Sequence, residues 1–329
     1  MRDPSTDRRT FLKIAGASIG AGALFHVAPL LASTAEGRRI ASLLGRQNGE
    51  APKPFSFVQL SDTHVGFSGP PNPTGTAAFE KAIQTINALP QQPDLVLFSG
   101  DLTHESEKPG EHADRMRLFR KLVGNVQAPV VRMVPGEHDA GLDGGALYRD
   151  AFGESHYSFD HKGVHFVALD NVSGGRPNVG PEQLAWLKKD LSRFPATAPI
   201  VVFTHRPLFD LRPDWEWFTG DGDEVLNLLS PYENVTVLYG HIHRHHEHTE
   251  GHIAHYAARS LIFAFPDPEA GVPKKPVPFD KDRPFANLGV RVVGESAEAR
   301  PRVNDVELVL AEHAGTVGVQ QFLKKGVSL

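Results

Sequence analysis

The sequence predicts an α/β fold whose strands run largely parallel and carry their chemistry at their carboxyl ends. Three observations lead there. Five short apolar, β-branched runs each stop abruptly at acids, histidines and glycines, the mark of buried strands feeding functional loops. Helix-length segments with apolar residues near a period of about 3.6 lie between them, and strands that alternate with helices pair in parallel. The chain of 329 residues, 40% hydrophobic and 22% charged, suits one large α/β domain or two small ones and excludes a disordered, collagen-like or polytopic membrane protein.

In chain order the first element is an address. A polar start leads into Arg8-Arg9-Thr10-Phe11-Leu12-Lys13, followed by an uncharged stretch from Ile14 to Ala35 rich in alanine and glycine. Gly16, Gly20, Gly22 and Pro29 make that stretch a poor membrane span. The paired arginines ahead of Phe-Leu-Lys resemble a twin-arginine export signal, with Asp7 standing where that pattern usually has Ser or Thr. The small residues Ser33-Thr34-Ala35 place a cleavage boundary at residues 1–35. The resemblance implies recognition by the twin-arginine export machinery and a periplasmic or secreted mature chain with no transmembrane segment. Residues 36–54, with Arg38, Arg39, Pro52 and Pro54, read as a linker.

The strands come next. Phe57-Val58-Gln59-Leu60 leads to Asp62 and His64, and Asp94 to Phe98 leads through Ser99-Gly100 to Asp101. Val130 to Val134 runs into Pro135-Gly136-Glu137-His138-Asp139, Ile200 to Phe203 into Thr204-His205, and Val235 to Tyr239 into Gly240-His241-Ile242-His243. Thr76 to Leu89, Glu111 to Val123 and Pro181 to Leu191 supply helices between them. In open α/β sheets the loops beyond the carboxyl ends of the strands form the ligand crevice, so these polar termini should converge. Taken singly, a loop histidine is more often a hydrogen-bonded residue and a strand-terminal Asp a helix N-cap. Five such termini in order argue for one site.

Composition limits the chemistry. With no cysteine and 17 histidines, disulfides, zinc ribbons, iron–sulfur clusters and thiol nucleophiles are excluded, and any metal must be held by imidazole and carboxylate. A net charge of -5 leaves no basic footprint, so no specific nucleic-acid binding is expected.

Asp-x-His at residues 62–64, Gly-Asp at 100–101, Gly-x-His-Asp at 136–139, the strand-end His205 and Gly-His-x-His at 240–243, in that order, resemble the calcineurin-like metallophosphoesterase superfamily over roughly Phe55 to Ser260. Tyr157 to Asp160, Val164 to Asn171 and Gln183 to Leu187 look like its exported, phosphodiesterase-like members. The resemblance implies a four-layer αββα sandwich with two central mixed sheets, within a catalytic domain spanning 55–265. It implies two metal ions, Mn, Fe, Zn or Co, one held by Asp62, His64 and His243 and the other by Glu137, His205 and His241, with Asp101 bridging. Water activated by that pair would attack phosphorus in line while His138 serves the leaving oxygen. Asp139 reads equally as a residue that holds the His138 imidazole by a hydrogen bond and as a turn or cap residue. The implied substrate is a small-molecule or lipid-headgroup phosphoester, with a phosphodiester first, an acid-phosphatase-like phosphomonoester second, and a non-catalytic metal- or ligand-binding protein as the rival class. Purple acid phosphatases place a metal-binding Tyr shortly after the second-strand Asp, where this chain has Leu102-Thr103-His104.

Two departures stand out. The family usually has Asn where this chain has Glu137, and the extra charge should strengthen cation binding and favour monoanionic diesters over dianionic monoesters. His245, His246, His248, His252 and His255 form a second cluster, read as a solvated strand or loop in preference to a further metal site. His104, Arg206, Tyr157 and Asn171 read as loop or sheet hydrogen bonds in preference to residues lining the substrate pocket, and Trp215 and Trp217 read either as a stacking surface or as a core anchor. Residues 266–329 read as a Pro-rich excursion followed by late strands at a sheet edge.

Overall fold

The computed structural model describes residues 55–294 and the backbone of 304–309. The export signal and linker assigned to residues 1–54 lie outside the described residues. β1 (Ser56–Leu60), α1 (Ala77–Asn87), β2 (Leu95–Ser99), α2 (Glu111–Val123) and β3 (Val131–Val134) alternate in the order the sequence predicts, and the three strands pair in parallel. Two short helices follow, α3 (Glu137–Ala140) and α4 (Ala146–Phe152), then β4 (Tyr157–His161) and β5 (Val164–Ala168). Those two strands form a hairpin around Lys162 and Gly163, both at positive φ (47° and 84°), as a two-residue turn matched to strand twist requires. The second run continues with α5 (Pro181–Leu191), β6 (Pro199–Phe203), α6 (Gly222–Leu229) and β7 (Asn234–Tyr239), and closes with β8 (His246–Glu250), β9 (Ile253–Ala257), β10 (Gly289–Gly294) and β11 (Asn304–Val309).

The strands assemble into a five-stranded sheet, β11-β10-β1-β2-β3, and a six-stranded sheet, β4-β5-β6-β7-β9-β8, both mixed. Period-two alternation sorts the side chains into layers. Val58 and Leu60 turn toward Phe79, Ile83 and Ile86 of α1 and Phe119 of α2. Their neighbour Phe57, with Leu95 and Leu97, faces the other sheet and packs with Phe166, Phe203 and Leu238. Val167, Val202 and Val237 point the opposite way, onto Leu187 and Leu191 of α5 and Val225 and Leu229 of α6. The result is the α/β, four-layer sandwich with two mixed sheets that the family resemblance implied.

One polar tie crosses between the sheets. Gln59, fully buried in β1, donates from Nε2 to Ser99 Oγ and to the Tyr239 carbonyl at the end of β7, 2.9 Å each. It couples the ends of three strands that lead into candidate ligands.

Of the two late strands, β11 lies at the edge of the first sheet as the sequence reading has it, and β10 does not. β10 lies inside the first sheet, antiparallel to both β1 and β11, and not at an edge. Trp215 and Trp217 are buried in edge-to-face contact, centroids 4.9 Å apart, within a cluster with Tyr239 and Ile242, so they anchor the core and offer no stacking surface. Of the second histidine cluster, His246 and His248 lie in β8 and His255 in the facing part of β9: His248 pairs across from His255, and Phe209 stacks on His248. Among the described residues, none of the donor groups spaced for a metal lies there.

Burial holds His246 and His255 down to about 4, so both are neutral in the folded chain near neutrality. An unfolded histidine takes its proton at about 6.5, so the unfolded state binds more protons between those values and folding stability falls as pH drops from about 6.5 toward 4. Denaturant titrations at pH 7, 6 and 5 should show this slope, and His255→Phe should flatten it.

Candidate metal centre

The candidate ligands hang from the carboxyl ends of β1, β2 and β3 of the first sheet and of β6 and β7 at the centre of the second. Five of them sit in left-handed backbone: Asp62 (φ 53°), His64 (40°), Asp101 (50°), His241 (65°) and His243 (53°), among eight non-glycine residues with positive φ in the described chain. That conformation costs about 1–2 kcal/mol for a residue with a Cβ, so the surroundings must enforce it. They do so by zipping the loops together: the Asp62 amide donates to the Gly100 carbonyl (3.0 Å), and the His64 amide to the Asp101 carbonyl (2.9 Å). Gly136 packs so closely that a Cβ there would overlap the Asp101 carboxylate, and Gly100, at φ 94°, lies directly under the His205 ring.

Donor atoms of Asp62, His64, Asp101 and His243 converge on one point, all four side chains buried. His64 Nε2 is 3.2 Å from His243 Nε2 and 3.4 Å from Asp101 Oδ2, and His243 Nε2 is 3.3 Å from Asp62 Oδ1. Ligands about 2.0–2.2 Å from a shared ion stand about 3.0–3.5 Å apart, so this spacing fits a coordination shell and is longer than good hydrogen bonds. The outward ring nitrogens fix the tautomers: His205 Nδ1–H donates to the Ser99 carbonyl (2.8 Å) and His243 Nδ1–H to the Phe263 carbonyl (2.9 Å), turning each Nε2 lone pair inward. Glu137, His205 and His241 make a second group. Here Glu137 lies 2.8 Å from His205 Nε2 and 2.7 Å from His241 Nδ1, with the Arg206 guanidinium 3.5 Å away.

The side chains alone set an uneven charge pattern. Burial and the neighbouring Glu137 push the Asp101 carboxyl up to about 6. Burial opposes ionisation of Glu137 as well, but the His241 and His205 imidazoles outweigh it and hold its carboxyl well below the usual range. His205 is the mirror case: burial disfavours its charge, and the Asp101 and Glu137 carboxylates overcome that and raise its pKa well above the ordinary value. Burial depresses His64 well below its ordinary value and brings His241 to about 4.

His138 is half-exposed beside this cluster. Its amide donates to Asp101 Oδ1 (3.0 Å), its ring packs on His64 and stacks on His104, and burial with the nearby His243 and His205 lowers its pKa to about 3. Its Nδ1 meets the Glu105 carboxylate. Of the two readings of Asp139, the bond to His138 is absent and the cap role holds, with Asp139 closing a capping box on Gly136. Asp139 is fully buried, and its carboxylate accepts from the amides of Gly136, Leu102 and Thr103 (2.8–2.9 Å) and from the Thr103 hydroxyl (2.8 Å). It clamps the Asp101 loop onto the Gly-Glu-His-Asp turn, and that clamp brings Glu105 to the His138 ring. Glu105 carries no motif of its own in the sequence and becomes visible only through this contact.

The other pocket candidates divide. His104 Nδ1 faces His64 Nδ1 at 3.3 Å, and Arg206 faces Glu137. Tyr157 bonds the Met133 backbone, and Asn171 bonds the Arg206 carbonyl and Thr219, so both are structural.

Buried histidines and carboxylates gathered at strand ends between two sheets, spaced for cations, define a metallohydrolase centre. Comparison with known proteins gives its family. The family model described as calcineurin-like phosphoesterase matches residues 55–245, and the chain belongs to that family. The chain is 28% identical over 207 residues to a probable glycerophosphodiester phosphodiesterase GpdQ of Arcobacter nitrofigilis, covering 57% of this chain and 71% of the relative. It is 28% identical over 257 residues to the human serine/threonine-protein phosphatase CPPED1, covering 68% of this chain and 78% of the relative. The crystal structure of a dimetal phosphatase from Danio rerio shares the fold, with a TM-score of 0.54 and 14% identity over 79% of this chain and all of that one. This chain is therefore a metal-dependent phosphoester hydrolase.

Two outcomes follow from the geometry. Because the Asp101 and Glu137 carboxylates raise the His205 pKa, a cation must compete with protons at this imidazole, so metal loading should release protons and affinity should fall as pH falls; competition against a chromophoric chelator measures this. Glu105→Gln should lower kcat about tenfold or more while leaving metal content at the wild-type level, as elemental analysis of the purified variant would read out.

Proposed function

We propose that the chain is a dinuclear phosphodiesterase of the bacterial envelope. One observation carries the dinuclear reading: Asp101 Oδ2 lies 3.4 Å from His64 Nε2 of the first donor group and 3.4 Å from His205 Nε2 of the second, the placement a bridging carboxylate needs. Metal ions in such a site polarise phosphoryl oxygens and lower the pKa of water to about 7.

The chain's own residues do the rest. The left-handed strand ends and their outward ring hydrogen bonds fix the donors before substrate arrives, so little reorganisation remains at the moment of reaction. Glu105 takes the Nδ1 side of His138, so Nε2 is the position that can take up a proton and pass it to the departing oxygen, with the Glu105 carboxylate offsetting the charge the ring gains. The similarity to a relative named a probable glycerophosphodiester phosphodiesterase supports a diester substrate, as does the extra carboxylate of Glu137, which disfavours a dianion. The Arg8-Arg9 leader supports export.

Purified, Mn-loaded protein should hydrolyse bis(p-nitrophenyl) phosphate faster than p-nitrophenyl phosphate and lose turnover on chelation. His138→Ala should cost about 10²–10⁴ in rate with metal retained. Glu137→Asn should narrow the diester preference. A strong monoester preference in the wild type would sink the diesterase reading and leave a phosphatase.

A further inference from the structure

Residues 266–287 lie beyond the family match at 55–245, and none of the motifs gives them a role. The structure fastens them to the metal centre. Arg244, directly after the ligand His243, donates to the Pro266 carbonyl and to Asp267, 3.0 Å each, and the Val277 amide bonds the Ala264 carbonyl at 2.8 Å. The Phe265 ring lies 5.0 Å from that of His243. From this segment Lys274 passes over Phe265, 5.6 Å from its centroid, and donates to the Trp215 carbonyl at 2.7 Å.

The next carbonyl, Glu216, accepts from Arg206 Nη1 (2.8 Å) and from the ligand His241 Nε2 (3.1 Å). Glu216 is left-handed at φ 60°, and Trp215 before it is locked in the core. Two successive, immobilised carbonyls thus gather Lys274, Arg206 and a metal ligand, and the second nitrogen of the Arg206 fork reaches Glu137.

We propose that Lys274 and Arg206 form an anion-binding edge of the active site, so that the Pro-rich segment completes the pocket and receives the phosphoryl group of the substrate. The inference rests on the phosphoester reading of the same centre. Its physical motive is Glu137: a carboxylate in place of a neutral amide puts a negative charge where an anion must approach, and fixed cations beside it offset that charge. Burial lowers the Lys274 pKa, and Arg206 acts in the same direction, while the carboxylates of Glu137 and Glu216 oppose the shift. Arg supplies a planar fork and Lys a compact charge with three donors, both suited to phosphoryl oxygens.

The test uses metal-loaded enzyme, inorganic phosphate as the probe in calorimetry, and steady-state kinetics with a phosphodiester. Lys274→Gln and Lys274→Met should each weaken phosphate binding about tenfold and raise KM more than they lower kcat, the worth of one charge-assisted hydrogen bond. Lys274→Arg should restore most of the affinity, and metal content should match the wild type in all three. Unchanged phosphate affinity and KM in the neutral variants would overturn the proposal. So would equal losses in Lys274→Arg and Lys274→Gln, which would mark Lys274 as a structural pin. If the wild type turned over no phosphoester yet bound phosphate in a Lys274-dependent way, the hydrolase reading would fail and the anion-binding edge would stand. Turnover with Lys274-independent phosphate binding would be the reverse.

Discussion

Three carboxylates, Asp62, Asp101 and Glu137, are brought within a few side chains of one another in the interior, and the rest of the structure answers that concentration of negative charge. Buried like charges are tolerated only where opposite charge or hydrogen-bond donors surround them. The imidazoles of His64, His205, His241 and His243 close on the carboxylates from two sheets, and Asp101 stands between the two groups they form. A cation completes such an arrangement as no further side chain could, which is why the centre reads as a metal site on charge and on spacing alike.

The fold supplies the force that holds these groups in place. Left-handed backbone at five candidate-ligand positions is a strained arrangement, sustained by amide-to-carbonyl bonds between adjacent loops and by Gln59 spanning the ends of β1, β2 and β7. Beneath it, the Phe57, Leu97, Phe166 and Phe203 layer fixes the two sheets against each other, so the strand ends cannot drift apart. Asp139 belongs to the same scaffold. By binding three amides and a hydroxyl it sets where Glu105 lies, and its bearing on His138 passes through that loop.

Glu137 changes the balance at one side of the centre. Its carboxylate meets His205 and His241 at hydrogen-bond distance, whereas the neighbouring group keeps the wider spacing of a coordination shell. The guanidinium of Arg206 stands against it, and the Pro-rich segment sends Lys274 to the adjoining carbonyl. The Glu137 carboxylate thus stands near positive charge drawn from two distant parts of the chain.

The α/β class, the order of strands and helices, and most of the candidate centre were legible in the sequence, because period-two apolar runs and their polar termini are local patterns. Helices α2 and α5 begin and end where the periodicity placed them, and the five strands shift by a residue or so at their ends. Only the tertiary structure decided what depends on meetings between remote segments. β10 became an inner strand because β11 covers its far side, and the tryptophans became core because Tyr239 and Ile242 enclose them. His138 found its carboxylate in Glu105, from a loop more than thirty residues earlier, and Lys274 reached Trp215 across 59 positions. Such contacts leave no periodic trace in a sequence, since they are fixed by where the packed layers bring loops together.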